Sequence, residues 1–270
     1  MMSADEFADY HTPALANNEA KHCVLLAILA RLCDSASGSS FLYWSLGRPG
    51  ACAAKSGHHP IVLGDLDEAH CVVLAETTAA TDYPGVVGPD LTAHWFVNRA
   101  ETLGLRFFDP VRQRISQLSE PPQYPGVPGY ARLATAEDGA LLADWTLAFL
   151  REAVPHDPVP PRAELEAQAG EGRHLFWVGG GRPVSMAAIA RRLPNTGAIS
   201  SVYTPPELRG RGYAGSVTAA IVERIFAEGR RTACLYTDLS NPASNRCYAK
   251  IGFRPLCGSL HYCRRSEAEE

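Results

Sequence analysis

The chain has 270 residues, of which 46% are apolar and 20% charged, and a formal net charge of -4. This is the composition of an ordinary globular protein and excludes a disordered or fibrous one. The length favours two domains over one. Lys and Arg are scattered and form no basic stripe, so we expect neither nucleic acid nor a membrane surface as a partner. The sequence carries no signal for an oligomeric state.

The cysteines and the first residues indicate a cellular compartment. The eight cysteines include no C-x-x-C pair, and several lie in apolar runs, so we expect reduced thiols that pack as small hydrophobes in a cytoplasmic protein. The segment Met1–Phe7 carries acids where a secretory signal would carry bases. The apolar run Cys23–Ala30 is too short to cross a membrane, and it predicts a buried helix. No histidine pair has metal-ligand spacing, so we expect no metal.

The first half of the chain contains helical and strand patterns but no catalytic motif. Helices are predicted over Asn18–Cys33, Asp67–Ala80 and Pro89–Thr102, and strands over Phe41–Trp44 and Leu105–Phe108. A segment with four prolines and two glycines follows, Ser119–Gly129. This composition disfavours both helix and central strand. It predicts an N-terminal α/β domain over 1–118, a linker over 119–129 and a C-terminal domain over 130–266.

The C-terminal half alternates strands and helices, which predicts an α/β or α+β sandwich with one mainly antiparallel sheet. Thr135 and Asp138 form a capping box before a helix. Strands on both sides of Gly179–Arg182 indicate a hairpin, so this glycine triplet is a turn. The predicted strands are 130–134, 174–178, 184–190, 199–204, 232–239, 253–256 and 260–264, and the predicted helices are 162–169, 214–228 and 242–251.

The segment Ser200–Gly215 carries the chemistry. A strand leads into a tight loop and the loop opens a helix, so backbone N–H groups and the positive helix end converge on one point. That geometry is suited to a pyrophosphate. Gly210 and Gly212 lack Cβ atoms that would hinder a close approach, and Arg209 and Arg211 supply positive charge.

Two ligand classes match this loop. The spacing Gly210-x-Gly212-x-x-Gly215 also fits the dinucleotide fingerprint, with Asp238 as a possible ribose partner. Five residues, however, separate the strand from the first glycine, and only about fifty residues follow Gly215. Too little chain therefore remains for the second half of a doubly wound sheet, which disfavours a dinucleotide.

Two motifs together resemble the GCN5-related N-acetyltransferase family over residues 127–264. Arg209-x-x-Gly212-x-Ala214 is similar to its acyl-CoA pyrophosphate signature, and the segment Asn241–Phe253 resembles its second hallmark. The resemblance implies a mixed, mainly antiparallel sheet flanked by helices, with acetyl-CoA as cosubstrate. Residues 1–118 carry no such motif, and we interpret them as a degenerate copy of the fold or a dedicated substrate domain.

The resemblance also implies roles for individual residues. Strand amides from Val202 to Thr204 would bind the pantetheine arm, the glycine loop the pyrophosphate, and two asparagines the arm or the phosphates. An N–H of Ile199–Val202 would stabilise the oxyanion, and Tyr248 would protonate the departing thiolate. The implied cofactor residues are Val202, Tyr203, Thr204, Arg209, Gly210, Arg211, Gly212, Tyr213, Ala214, Gly215, Asn241 and Asn245.

The general base and the acceptor stay open. The strand 199–204 contains no carboxylate, which leaves Glu207, Asp238 or a chain of water molecules as the base. Local explanations also exist for two residues, because Asn241 fits a helix N-cap and Tyr248 a packed core tyrosine. We expect transfer to the primary amine of a small molecule, and the rival interpretation is a CoA-binding module without activity.

Overall fold

The computed structural model describes residues 2–33, 40–155 and 158–265, which form two compact units. Unit 1 comprises residues 1–115, 238–240 and 256–270, and unit 2 comprises 116–237 and 241–255. The division thus falls at Ser116, ahead of the predicted linker, and the linker belongs to unit 2. The end of the chain groups with unit 1, whereas the sequence placed it in the C-terminal domain.

Unit 1 combines four helices with short strands. Strand β1 pairs with β2 and β2 with β3 in antiparallel fashion, whereas β3 and β4 run parallel. Residues 259–263 of the last strand of the chain pair antiparallel with β4. The elements are α1 (Ala4–Ala16), α2 (Cys23–Leu32), β1 (Phe41–Ser45), β2 (Cys52–Ser56), β3 (Ile61–Leu63), α3 (Glu68–Thr78), β4 (Gly85–Pro89) and α4 (Asp90–Thr102).

Two expectations for this half were wrong, and one helix was not predicted. The helix predicted from Asn18 begins only at Cys23, and α1 precedes it, opened by a capping box at Ser3. Residues 105–108 form no strand, and Phe107 alone makes an isolated bridge, to Arg264. The side chains of Arg106 and Phe108 are exposed, whereas Phe107 is buried in the core and Leu105 packs against it half-buried.

Unit 2 contains the predicted mixed sheet. Its strands are ordered β6-β7-β8-β9-β10, antiparallel except for the parallel pair β9 and β10, which confirms the fold class. The remaining elements in chain order are β5 (Val111–Leu118), β6 (Tyr130–Leu133), α5 (Gly139–Ala153), α6 (Arg162–Ala167), β7 (His174–Gly179), β8 (Arg182–Arg192), β9 (Thr196–Tyr203), α7 (Tyr213–Ala227), β10 (Thr232–Asp238), α8 (Pro242–Ile251) and β11 (Arg254–Cys263). The last is one strand where the sequence predicted two.

The helices of unit 2 cover both faces of its sheet. Leu175 and Phe176 are neighbours in β7, yet they pack in different clusters, because successive side chains of a strand point to opposite faces. Phe176 packs with Leu142 of α5, and Leu175 packs in the cluster that contains Val217 of α7. The capping box at Thr135 is present as well. Helix α7 therefore packs on one face of the sheet, and it begins after the loop that follows β9.

Gly197 tests how tightly α7 packs on β9. A Cβ at this position would lie 2.7–2.8 Å from three side-chain atoms of Ile225, which is fully buried. We expect Gly197→Ala to lower the free energy of unfolding by about 1–3 kcal/mol through overpacking. Gly170→Ala is the matched control, because a Cβ there would meet no atom within 4 Å. Urea denaturation measures both variants, and wild-type stability of Gly197→Ala would contradict the packing described.

Candidate functional site

The parallel strands β9 and β10 separate partway along their length. Their ladder joins residues 196–199 to 232–235 and ends at Ile199 and Leu235, although β9 continues to Tyr203. The backbone of β9 beyond Ile199 therefore faces no β10 partner. An extended ligand can add to such a strand edge through main-chain hydrogen bonds. Val202, Tyr203 and Thr204, expected along the pantetheine arm, lie on this stretch or immediately after it.

A bulge shapes the same stretch of β9. Met186 pairs with Tyr203 and Ala188 with Ser200, so three steps along β9 oppose two along β8. Ser201 has φ 53°, the one positive φ at a non-glycine position among the described residues. A bulge redirects backbone N–H groups and increases local twist. Serine is not a marker of left-handed backbone, so this distortion could not be predicted from the sequence.

The loop after β9 leads into an uncapped helix. Gly210 and Gly212 have φ values of 77° and 83°, in the region that favours glycine. Gly212 is the N-cap of α7 and no side chain accepts a hydrogen bond from the first turn. The first-turn amides of α7, including Tyr213 and Ala214, are donors without intrahelical partners. Together with the helix dipole they make an anion-binding end.

The glycines of this loop differ in their surroundings. A Cβ at Gly210 would meet nothing within 4 Å. At Gly212 it would lie 2.8 Å from Val127 Cγ1, and at Gly215 2.6 Å from Pro125 Cγ. Gly210 is thus open to a ligand, whereas Gly212 and Gly215 are required by the close packing of the linker. In the sequence analysis, the close approach of a ligand was the explanation for glycine in this loop, and the packing of the linker was not foreseen.

The two arginines of the loop have different partners. Arg209 donates from Nε to the Thr204 carbonyl at 2.9 Å and from Nη2 to Glu152 Oε2 at 2.7 Å. Arg211 is exposed and donates to the Glu207 carbonyl at 3.2 Å. The charge of Arg209 is therefore paired within unit 2, while within the described residues Arg211 forms no ion pair. Glu152 lies in α5, and no sequence spacing connects it to the loop.

A buried serine fixes the end of β9. Ser185 of β8 is fully buried, and its Oγ lies 2.9 Å from the Tyr203 carbonyl oxygen and 2.9 Å from Thr204 Oγ1. The Tyr203 ring lies under the Arg209 guanidinium at 5.7 Å. These contacts hold the last residues of the strand and the first of the loop in one arrangement. Sequence reasoning missed Ser185, which looked like an ordinary strand residue.

The asparagines ahead of Tyr248 have structural roles. Asn241 caps α8, its Oδ1 accepting from the Ser244 amide at 3.1 Å, and Pro242 is the first helical residue. Asn245 donates from Nδ2 to the Asn241 carbonyl at 2.8 Å. The local explanation of Asn241 is therefore correct. The cofactor roles of Asn241 and Asn245 stay predictions.

Tyr248 is half-buried beside the α7 cluster. Its ring meets Phe253 edge-on at a centroid distance of 6.0 Å. No hydrogen bond joins its hydroxyl to another group in the part of the chain that the structure describes. Burial raises the pKa of Tyr248 above its usual value, and the neighbouring Cys247 thiol raises it further. The phenol therefore keeps its proton at neutral pH. A protonated hydroxyl without a partner has the properties that a proton donor needs.

The contacts of Glu207 and Asp238 do not support either carboxylate as the general base. Glu207 is exposed in a turn at Pro206–Leu208, and Asp238 accepts a hydrogen bond from the Ser240 amide at 2.7 Å and groups with unit 1. Among the residues with described positions, no cluster of three His, Cys, Asp or Glu could hold a metal. No described helix is long and apolar enough to cross a membrane.

The mixed sheet splits beside a helix that begins after a glycine and has no side-chain cap, and this arrangement can be compared with known proteins. Residues 178–264 match the family model "FR47-like protein". Together with the fold, this match supports the resemblance to the GCN5-related N-acetyltransferase family that the motifs predicted for the C-terminal half of the chain. No curated protein matches the chain.

Solved structures resemble the whole chain. A GCN5-related N-acetyltransferase from Kribbella flavida has 16% identity and a TM-score of 0.57, covering 100% of this chain and 99% of its own. A Drosophila protein has 15% identity and a TM-score of 0.65, covering 96% of both chains. A tandem GNAT protein from the clavulanic acid biosynthesis pathway has 15% identity and a TM-score of 0.60, covering 96% of this chain and 94% of its own. At these identities the likeness is one of fold.

The strained backbone at Ser201 gives a test of the bulge. We expect Ser201→Gly to keep or raise the melting temperature, because glycine adopts positive φ without a Cβ penalty. Ser201→Val should lower stability by about 1–3 kcal/mol, since a β-branched residue is disfavoured in this region. Thermal denaturation compares the two variants with wild type, and a Ser201→Val variant as stable as wild type would contradict the positive φ.

Proposed function

We propose that the C-terminal half of the chain transfers an acetyl group from acetyl-CoA to the primary amine of a small molecule, by direct attack in a ternary complex. The observation that carries this proposal is the uncapped start of α7 beside the split between β9 and β10. The start of α7 suits a pyrophosphate, and the unpaired edge of β9 suits an extended pantetheine arm. The absence of a basic stripe in the sequence favours a small acceptor over a nucleic acid.

The residues present fit the cofactor. The unpaired edge of β9 from Val202 offers main-chain groups to the arm, and Gly210 leaves space beside the loop. The amides of Gly212–Gly215 and the charge of Arg211 would hold the pyrophosphate. Arg209 would act differently from the original expectation, by fixing the loop through Glu152 rather than by contacting phosphate.

The chemistry then requires three events. The amine nitrogen attacks the thioester carbonyl carbon, a backbone N–H of Ile199–Val202 stabilises the resulting oxyanion, and the C–S bond breaks as the amide forms. Tyr248 would give its proton to the departing sulfur, because its phenol is protonated at neutral pH and its hydroxyl donates to no other group among the described residues. The proton lost by the amine would pass to water, because neither Glu207 nor Asp238 has contacts that support it as the base.

We also propose that unit 1 is a degenerate copy of this fold. Its parallel pair β3 and β4, with α3 after β3, follows the order of β9, α7 and β10. The Asp67 side chain caps α3, so the anion-binding end is occupied by a carboxylate. Leu63 packs on Gly88, where a Cβ would lie 2.8 Å from Leu63 Cβ. An acidic cap and an apolar side chain between the strands both oppose a cofactor there.

Turnover of acetyl-CoA against a panel of small amines tests the function. We expect thiol release that depends on one or a few amines, with acetylated product detected by mass spectrometry. The rival, a CoA-binding module, is favoured by the lack of a carboxylate on β9. Binding of CoA without consumption of any amine, by protein whose fold is verified, would establish the rival instead.

The stoichiometry of CoA binding tests both units. We expect calorimetric titration to give one CoA per chain, because the equivalent position in unit 1 is closed. Arg211→Glu should weaken binding by about 10-fold or more, since it replaces a favourable charge by a repulsive one. Arg182→Glu, an exposed change of the same kind in the β7–β8 hairpin, is the control. Two sites per chain would refute the degenerate copy.

Tyr248→Phe tests the proton donor. The thiolate of CoA is a tolerable leaving group, so we expect kcat to fall by about 10- to 1000-fold with KM for acetyl-CoA nearly unchanged. Steady-state kinetics with the best amine of the panel measures both constants. Normal kcat would remove Tyr248 from the mechanism, and a loss of CoA affinity instead would make it a binding residue.

A further inference from the structure

The linker of the sequence analysis, Ser119–Gly129, is fastened to unit 2 along its length. Its residues are mostly exposed, yet both backbone and side chains bond to β7, α7 and α8. The bonds join Gln123 N to Ile251 O at 2.9 Å, Tyr124 Oη to Glu223 Oε2 at 2.7 Å and Trp177 Nε1 to Pro128 O at 3.4 Å. The linker is therefore an ordered part of the surface of unit 2.

Between these bonds the linker lies directly on the glycine loop. Val127 and Pro125 approach Gly212 so closely that a Cβ there would lie 2.8 Å and 3.3 Å from them. Pro125 covers Gly215 in the same way. Gly210 has no such neighbour. One side of the loop is thus supported by apolar linker atoms, and the other side is open.

The composition of the linker suits a place beside phosphates. Apart from Glu120 near its start, the linker carries no charged side chain, so residues 121–129 add no negative charge next to an anion. Pro121, Pro122, Pro125 and Pro128 restrict the backbone, because each proline fixes its own φ. A stiff, uncharged segment can restrain its neighbour at small entropic cost.

We propose that Pro125 and Val127 are positioning residues for the CoA pyrophosphate, an inference that rests on the function proposed above. Glycines move freely between many backbone conformations, and a loop that must be ordered by its ligand binds that ligand less tightly. By filling the space over Gly212 and Gly215, the two side chains hold the loop with its amides at the start of α7 available. The ligand then enters from the side of Gly210.

Calorimetric titration with CoA on the full chain tests this role. We expect Val127→Ala and Pro125→Ala each to weaken CoA binding by about 10-fold, because the loop loses its support. Pro121→Ala, an exposed proline of the same linker, should bind CoA like wild type. Hydrogen exchange without ligand should become faster at amides 209–214 in the first two variants, with the interior of α7 and the melting temperature nearly unchanged.

The other outcomes overturn the inference. Unchanged CoA affinity would show that the linker has no influence on the loop, and tighter binding would show that it obstructs the cofactor. Weaker binding without faster exchange at the loop would make the side chains direct ligand contacts. Faster exchange throughout α7 and α8 with a lower melting temperature would make them purely structural. If the wild-type protein does not bind CoA, the proposed function itself fails. The titration of the wild-type protein distinguishes this result from the outcomes for the variants.

Discussion

The end of the β9–β10 ladder at Ile199 and Leu235 is the constraint on which the candidate site depends. Up to that point both strands are buried in an ordinary parallel pairing. Beyond it, the backbone groups of β9 need other partners, because unpaired main-chain polar groups are costly unless solvent or a ligand satisfies them. The bulge at Ser201 maintains the separation at the cost of one strained residue.

The loop after β9 is held from several directions. Ser185 fixes the end of the strand from β8, Glu152 holds Arg209 from α5, and the linker covers two of the three glycines. Exposed ion pairs contribute little by themselves, so the Glu152–Arg209 contact is more important for geometry than for stability. The result is a helix start with unused donors on a supported loop, which is the arrangement that preorganised anion binding needs.

The two units show how the same order of elements yields different chemistry. In unit 2 a glycine without a side-chain acceptor precedes α7, and in unit 1 an aspartate caps α3. A capping carboxylate stabilises a helix by about 1 kcal/mol but satisfies the donors that an anionic ligand would use. Stability at the start of α3 and the anion binding proposed for the start of α7 are therefore alternative uses of one structural feature.

The sequence by itself determined the elements with strong local signals. The capping box at Thr135, the hairpin at Gly180 and the strand-loop-helix order around Gly212 follow from turn and cap chemistry, and the structure has all three. The resemblance to the family followed from two motifs whose spacing is local, and the fold class from the alternation of strands and helices. Strands β2, β3, β4 and β5 were missed. The first three are short and mostly buried, and such strands lack the alternation that marks an exposed face.

Only the tertiary structure decided which distant residues meet at the loop. Glu152, Ser185 and Val127 reach it from separate elements, and each is an unremarkable residue in its own segment. The irregular segment Leu105–Phe108 and the undivided β11 were likewise set by which neighbours were available for pairing. Local propensity specifies a conformation within a few residues, whereas contacts across the sheet depend on register and packing, which no short pattern encodes.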